Sequence, residues 1–597
     1  MLKLNSAISF GLVISALWLS SCKMDSVQQH PNVILIMTDD QGWGDLSIHG
    51  NDSLQTPAID ALSKESAILD RFYVSPVCAP TRASLLTGRY HLRTGTTWVT
   101  HRKEVMRSQE VTIAEMFKKN GYRTGMFGKW HNGEQYPNDP RGQGFDEFTG
   151  FSAGHWNNYF DTKVIENGEY VTANGYIIDY LTDKAIDFIN AESGQPFFCY
   201  IPYNTPHSPL QIADHYFEKY KAMGLTDYNA AVYGMVENID DNVDRILKAL
   251  DAGELADNTI VIFTTDNGPN GWRYNGGMKG KKASYDEGGV RVPFFIRYPN
   301  GNLIKNTPIT DLTAHIDILP TLADLCRIPV PDNLALDGRS FAPLLRGEAS
   351  SLPERILFTF PTSQRLQPHP GAVRTNQYRL VLEHDGSLSL YDMPADPGQE
   401  LNIAADQPAV VSELHAAYLS AFEDVTKSGN IPPPIPIGYD ESKRVHLPAP
   451  EAQLFGNIKF KEGWGWANDW ITNWTSEEDY AEWDVEFVQS GKYEITIQYT
   501  CPPEDVGASV ALQLISPGGI DRASRNITEA FDPPYLPSPD RVKRWEVYEK
   551  EWKEMVIARI ELPKGRRKIR ISAPEIPGKQ AFELKALWVK KLDVEGG

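Results

Sequence analysis

The sequence predicts an α/β domain with a largely parallel sheet flanked by helices, then a smaller α+β subdomain and a β-sandwich module. Three observations carry this. Apolar, β-branched runs break abruptly into charged clusters, helical spacings lie between those runs, and beyond Glu451 the pattern changes to period-two alternation. A chain of 597 residues also exceeds one ordinary core, so two or three domains are expected.

The first run, Asn32 to Met37, is apolar on both faces and breaks into Thr38-Asp39-Asp40-Gln41-Gly42. Continuous apolarity marks a strand covered on both sides, as in a parallel sheet. The pattern recurs where Arg123 to Phe127 runs into Gly128-Lys129-Trp130-His131 and Phe197 to Tyr203 into Thr205-Pro206-His207. It recurs again where Thr259 to Phe263 runs into Thr264-Thr265-Asp266-Asn267-Gly268. Between these strands, helices are expected over Pro57 to Phe72, Val111 to Asn120 and Asp227 to Leu250. The first carries Ile59, Leu62, Leu69 and Phe72 at roughly helical spacing. Ligands of such sheets bind beyond the carboxyl ends of the strands, and all four polar clusters fall there.

The α/β domain is expected over residues 31–350, and the subdomain with a proline-rich linker over 351–440. Short strands at Val373 to Thr375, Tyr378 to Leu382 and Leu388 to Met393 mark the subdomain, and Ile431 to Pro436 the linker. The sandwich is expected over 451–597, with strands at Ala481 to Phe487, Lys492 to Tyr499, Ser509 to Leu514, Val556 to Leu562, Lys568 to Ser572 and Phe582 to Val589. It opens with Trp464, Trp466, Trp470 and Trp474, a texture similar to carbohydrate-associated sandwiches. A sandwich that merely packs on the catalytic domain fits the same pattern.

Lys3, the apolar run Ile8 to Leu19 and Leu19-Ser20-Ser21-Cys22 resemble a bacterial lipoprotein signal peptide over residues 1–22. That resemblance implies export to the periplasm or cell surface with a lipid anchor at Cys22, the membrane being met only through the lipid. The net charge of −20 argues against a nucleic-acid binder, and an anionic substrate then requires a local cluster of basic residues. The five cysteines, Cys22, Cys78, Cys199, Cys326 and Cys501, show neither a disulfide framework nor zinc spacing.

The sharpest local signal is Cys78-Ala79-Pro80-Thr81-Arg82, followed by Leu85-Leu86-Thr87-Gly88-Arg89. Pro80 places Cys78 at or just before a helix N-terminus, where free N–H groups favour anions, and Arg82 suits an oxyanion. By itself the motif also fits a redox cysteine. Asp39-Asp40 and Asp266-Asn267 add hard oxygen donors, the kind calcium or magnesium takes, at two strand ends.

Together these motifs resemble the formylglycine-dependent sulfatases of the alkaline phosphatase superfamily, over Asn32 to about Ala404. The resemblance extends through Gly128-Lys129-Trp130-His131, Pro206-His207-Ser208-Pro209, Asp266-Asn267-Gly268 and Glu287-Gly288-Gly289-Val290-Arg291-Val292-Pro293. It continues to Leu390-Tyr391-Asp392 and Asp396-Pro397. It implies an alkaline phosphatase-like core and a Cys78 that a separate maturation enzyme oxidises to Cα-formylglycine. It further implies one calcium ion held by Asp39, Asp40, Asp266, Asn267 and the converted Cys78. Arg82, Lys129 and His131 would flank the hydrated aldehyde, whose one oxygen attacks sulfur. His131 would accept the second hydroxyl's proton, and His207 or Lys282 would protonate the leaving oxygen. Lys279 and Lys281 lie close enough to compete with Lys282 for that position.

The implied activity is hydrolysis of sulfate monoesters on a sulfated poly- or oligosaccharide. A phosphonate or phosphodiester hydrolase with the same nucleophile, or a non-catalytic glycan-binding lipoprotein, are the alternatives. For the pocket mouth the sequence offers Arg141, Phe145, His155 and Trp156 within Asn132 to Trp156, then His101-Arg102, and the resemblance adds Arg374, a position where the family's smaller subdomain approaches the site.

Overall fold

The computed structural model describes residues 30–593, so the signal-peptide reading of residues 1–22, with Cys22, lies outside the described residues. A ten-stranded sheet organises the first domain. Its strands in chain order are β1 (Asn32–Thr38), β2 (Ala67–Leu69), β3 (Arg123–Lys129), β4 (Glu147–Phe151), β5 (Phe160–Glu166), β6 (Glu169–Tyr176), β7 (Phe197–Pro202), β8 (Thr259–Thr265), β9 (Phe294–Arg297) and β10 (Pro308–Ile309). In space they run β10-β2-β9-β8-β1-β7-β3-β4-β5-β6.

The five strands β8, β1, β7, β3 and β4 are mutually parallel. Strand β9 and the β5–β6 hairpin run antiparallel at the two sides. Every residue of β1, β7 and β8 is buried. Alternate residues of β1 feed separate cores, Val33, Leu35 and Met37 one face, Ile34 and Ile36 the other. Both faces are therefore covered, which is why β1 reads as an unbroken apolar run.

Two of the expected helices form close to their expected limits. Ile113–Lys119 starts at a capping box made by Thr112 and Glu115, and Asp227–Ala252 starts at a Thr226 cap. The third is shorter than expected. Pro57–Lys64 is helical, but Ala67–Leu69 forms β2 and Phe72–Tyr73 a short strand against Arg291–Val292. Leu69 and Phe72 keep the helical spacing, while free edges supplied by β9, β10 and Arg291–Val292 capture their backbone instead.

The subdomain is a four-stranded antiparallel sheet, Leu357–Thr359, Gly371–Arg374, Tyr378–Leu382 and Leu388–Asp392, covered by the helix Pro408–Thr426. Leu380, Leu390, Leu414 and Tyr418 fill the space between them. Two further sheets then pack face to face around Trp474, Trp483, Ile495 and Ile569. The chain enters this sandwich at Ile435–Ile437, inside the proline-rich stretch and ahead of Glu451, and pairs in parallel with Tyr480–Phe487.

The sandwich lies directly on the first domain. Arg102 Nη1 meets Glu451 Oε2 at 3.1 Å with both side chains buried, and Arg544 Nη1 donates to the Asn157 carbonyl at 2.6 Å. Among the described residues, Cys78, Cys199, Cys326 and Cys501 are buried free thiols. No described helix is long and apolar enough to cross a membrane.

Candidate active site

Parallel register brings the acidic clusters together. Thr38 of β1 pairs with Thr265 of β8, so Asp39 and Asp266 leave adjacent strands at the same level. Asp40 turns back through a left-handed backbone (φ 67°), and its N–H donates to Asp266 Oδ1 at 3.3 Å. Asn267 Nδ2 donates to Asp40 Oδ1 at 2.9 Å. Cys78 is the first residue of the buried helix Cys78–Thr87. Its sulfur and oxygens of Asp39 and Asp266 lie within 4.8 Å of one another.

Cations surround the acids. Lys129, the last residue of β3, places Nζ 2.5 Å from Asp39 Oδ2, and neither side chain is exposed. Arg82, one helical turn from Cys78, donates from Nε and Nη2 to Asp266 Oδ2 at 3.1 and 2.7 Å, and from Nη1 to the Lys129 carbonyl at 2.8 Å. Lys282 Nζ sits 2.6 Å from Asp40 Oδ1, and His207 Nε2 lies 3.8 Å from Asp40 Oδ2. Lys279 instead donates to the Tyr391 hydroxyl, and Lys281 stands over the Trp272 ring. Of the three competing lysines, Lys282 is therefore the one that reaches Asp40.

The charge state follows from this packing. Burial alone would raise Asp39 and Asp40. For Asp39 the charges of Lys129, His207, Arg82 and Lys282 outweigh it, and for Asp40 those of Lys282 and His207, so both stay below the usual carboxylate range. Asp266 is pushed up to about 7 by burial and the Asp39 charge, against the pull of Arg82. Burial pushes the Cys78 thiol up. Burial and the Lys129 charge hold His131 well below its ordinary value, so its imidazole is neutral. His131 Nε2 donates to the Val99 carbonyl at 2.9 Å, which leaves Nδ1 as a buried acceptor with no partner.

Three buried oxygens here also lack a hydrogen-bond partner: Asp39 Oδ1, Asp40 Oδ2 and Asn267 Oδ1. Buried acceptors are normally satisfied, and their concentration beside Cys78 gives a donor set that could hold a cation. Above it opens a cavity of about 500 Å³, lined on the first domain by Cys78, His131, His155, His207, Lys281 and Lys282. Trp464, Trp466, Trp545 and Glu546 of the sandwich form the opposite wall. Glu546 Oε1 accepts from Ser208 Oγ at 2.5 Å.

Several expected rim residues lie elsewhere. Arg141 reaches carbonyls of Asn167 and Glu441, Phe145 is core beside Trp130, and Trp156 stacks on Phe151. His101 and Arg102 anchor the sandwich at Trp464 and Glu451. Arg374 does not reach the cavity, because its Nε bonds Glu287 at 2.9 Å and the Tyr73 hydroxyl at 3.2 Å. Trp545 and Glu546 escape sequence reading, since they sit in an irregular loop with no periodic signal.

A family profile described as Sulfatase matches residues 31–328, and one described as N-sulphoglucosamine sulphohydrolase, C-terminal, matches residues 276–424. The chain is similar to an ulvan-active sulfatase of Formosa agariphila, 30% identical over 67% of this chain and 84% of that protein. It is similar to N-acetylgalactosamine-6-sulfatase of Homo sapiens, 31% identical over 54% of this chain and 68% of that protein. Among solved structures, Ps i-CgsB in complex with k-i-k-neocarrahexaose superposes with a TM-score of 0.62 at 27% identity. That superposition covers 68% of this chain and 95% of the other.

Proposed function

The chain belongs to the sulfatase family of the alkaline phosphatase superfamily and is a sulfuric ester hydrolase, and on that premise we propose a sulfated poly- or oligosaccharide as substrate, Cα-formylglycine at position 78 as nucleophile and one calcium ion as cofactor. The observation that carries this reading is the convergence of unpartnered buried oxygens with Cys78 and a ring of cations. Relatives named for ulvan and for N-acetylgalactosamine 6-sulfate support the glycan class.

The residues present fit calcium. Asp39, Asp40, Asp266 and Asn267 offer hard oxygen donors, and three carboxyl groups packed together gain from a divalent charge between them. Calcium held by Asp39, Asp40, Asp266 and Asn267 would supply Lewis acidity, and formylglycine at position 78 would supply, once hydrated, a nucleophilic oxygen with a second hydroxyl.

The chain's own groups do the rest. Lys129 and Arg82 hold Asp39 and Asp266 in place and keep positive charge under the reacting centre. His131 offers Nδ1 as the proton acceptor. The Nδ1–H of His207 is committed to the Ser208 carbonyl at 2.7 Å, so its Nε2 faces Asp40 and the cavity. The Nε2–H of His207 in its imidazolium form, or the Lys282 ammonium, delivers the proton to the departing sugar oxygen.

The test is peptide mass spectrometry across Cys78, together with turnover of 4-methylumbelliferyl sulfate before and after chelation. The expected result is a thiol-to-aldehyde mass loss, calcium-restored turnover, and a C78A variant at least about 10³-fold slower. An unmodified thiol in a host with active maturation machinery sinks the nucleophile. Faster turnover of the matching phosphonate or phosphodiester would move the enzyme to the alternative reaction.

A further inference from the structure

The family matches end at residue 424, yet one wall of the cavity over Cys78 comes from beyond it. Trp464, Trp466, Trp545 and Glu546 reach that wall from two separate segments of the sandwich. Trp464 and Trp545 stay 68% and 85% exposed, and Trp464 lies nearly parallel to Trp466 with ring centroids 6.1 Å apart. Indoles left in water forgo the gain of burying their large apolar faces, so exposing two of them at one cavity mouth marks a surface meant to be covered.

The wall is also rigidly held. Thr100 Oγ1 donates to the Gly465 carbonyl at 2.7 Å, and the His101 ring sits between the Pro450 carbonyl, 2.9 Å from Nδ1, and the Trp464 carbonyl, 3.1 Å from Nε2. The second segment is fixed by Arg544, buried between Asp540 at 2.6 Å and the Asn157 carbonyl. Glu546 is anchored through Oε1 on Ser208 and stands among the charges of His155 and His207, while its Oε2 has no hydrogen-bond partner.

We propose that the β-sandwich is a built half of the substrate site. Trp464 and Trp545 pack on the sugar that carries the sulfate ester, and Glu546 accepts hydrogen bonds from its hydroxyls. This rests on the sulfatase reading and extends it to residues outside the family match. A pyranose presents C–H patches on its faces and donors around its rim, which is what exposed indoles beside an unpaired carboxylate oxygen match. The ester end then lies toward Lys282 and His207, the cationic side of the cavity lining. A peptide or a second copy of this chain would cover the indoles but gives no role to a carboxylate above an anion site.

The experiment uses the full chain and a panel of neocarrahexaose, ulvan oligosaccharides and N-acetylgalactosamine 6-sulfate. Binding to the C78A variant is read by calorimetry, and turnover by the converted enzyme is read alongside 4-methylumbelliferyl sulfate. In a W464A/W545A background, Kd and KM for the bound panel member are expected to rise at least about tenfold, with kcat within about threefold. Unchanged Kd, equal loss in kcat, or no panel member bound by C78A overturns the inference. Failure of the starting enzyme to cleave any sulfate ester sinks the sulfatase reading instead, and the calorimetric arm still decides the sugar wall. Because both indoles are exposed, unchanged melting verifies that the variants fold.

Discussion

Lys129 meets Asp39 at 2.5 Å with neither group reaching water, so each is the other's main compensation. Removing the ammonium leaves a buried carboxylate facing Asp40 and Asp266. K129A is therefore expected to cost about 3 kcal/mol of stability and at least about 10²-fold in kcat. The two losses separate on calcium titration, which should restore part of the melting temperature but not kcat. Wild-type kcat in K129A would remove Lys129 from the reacting centre. His91 carries a prediction away from the site. Burial holds it down at about 4, against the bond from its Nδ1 to the Thr96 carbonyl, whereas an unfolded imidazole titrates near 6.5. Between those values the unfolded chain binds the extra proton. The contribution of His91 is therefore full above about 6.5 and is lost as pH falls toward 4, by up to about 1.4 kcal/mol per pH unit. H91Q should flatten the acid limb of a stability-versus-pH curve, and an unchanged slope would show that His91 is protonated without cost.

At the scale of elements, strand positions decide where those side chains stand. Gly128 (φ 146°) precedes Lys129 in β3, and an added Cβ would lie 2.0 Å from the Pro202 carbonyl oxygen of β7. G128A must push β3 off β7 and carry Lys129 away from Asp39. It is expected to lower both the melting temperature and kcat, with calcium affinity reduced, and a variant that keeps all three would show that the strands flex without moving the site. Such strands were legible because covering both faces forces the apolar runs of β1, β7 and β8, and motif order then supplied the polar ends. Asp39, Asp40, Asp266 and Asn267 needed only parallel register to meet. The helix expected through Phe72 was not legible as a helix and two strands, because the partners of β2 and of Phe72–Tyr73 lie more than two hundred residues away. Trp545 and Glu546 were silent for a related reason. Their place depends on how one sandwich loop docks against Asn157 and Ser208, and no local pattern encodes that.

For the molecule as a whole, the sandwich and the first domain share polar groups that neither satisfies alone. Arg102 bonds Gln135 Oε1 and Glu451 Oε2 at 3.1 Å each, and Gln135 Nε2 donates to the same Glu451 oxygen at 3.0 Å. Nearby Glu104 is pushed up to about 8 by burial and the Glu451 charge. The neighbouring residue, His101, holds the Trp464 carbonyl, which ties the same junction to the cavity wall. R102M strips Glu451 of its cation in a dry contact and is expected to cost about 3 kcal/mol. A packing defect alone would persist when the acid is also removed, whereas an uncompensated charge would not. The double variant R102M/E451M should therefore recover most of the melting temperature. Oligosaccharide KM should rise in R102M and fall back in the double variant as the Trp464 segment regains its seat. A double variant that melts no better than R102M would mean the junction is held by shape, and the coupling between docking and the substrate wall would have to run through Arg544 and Asn157 instead.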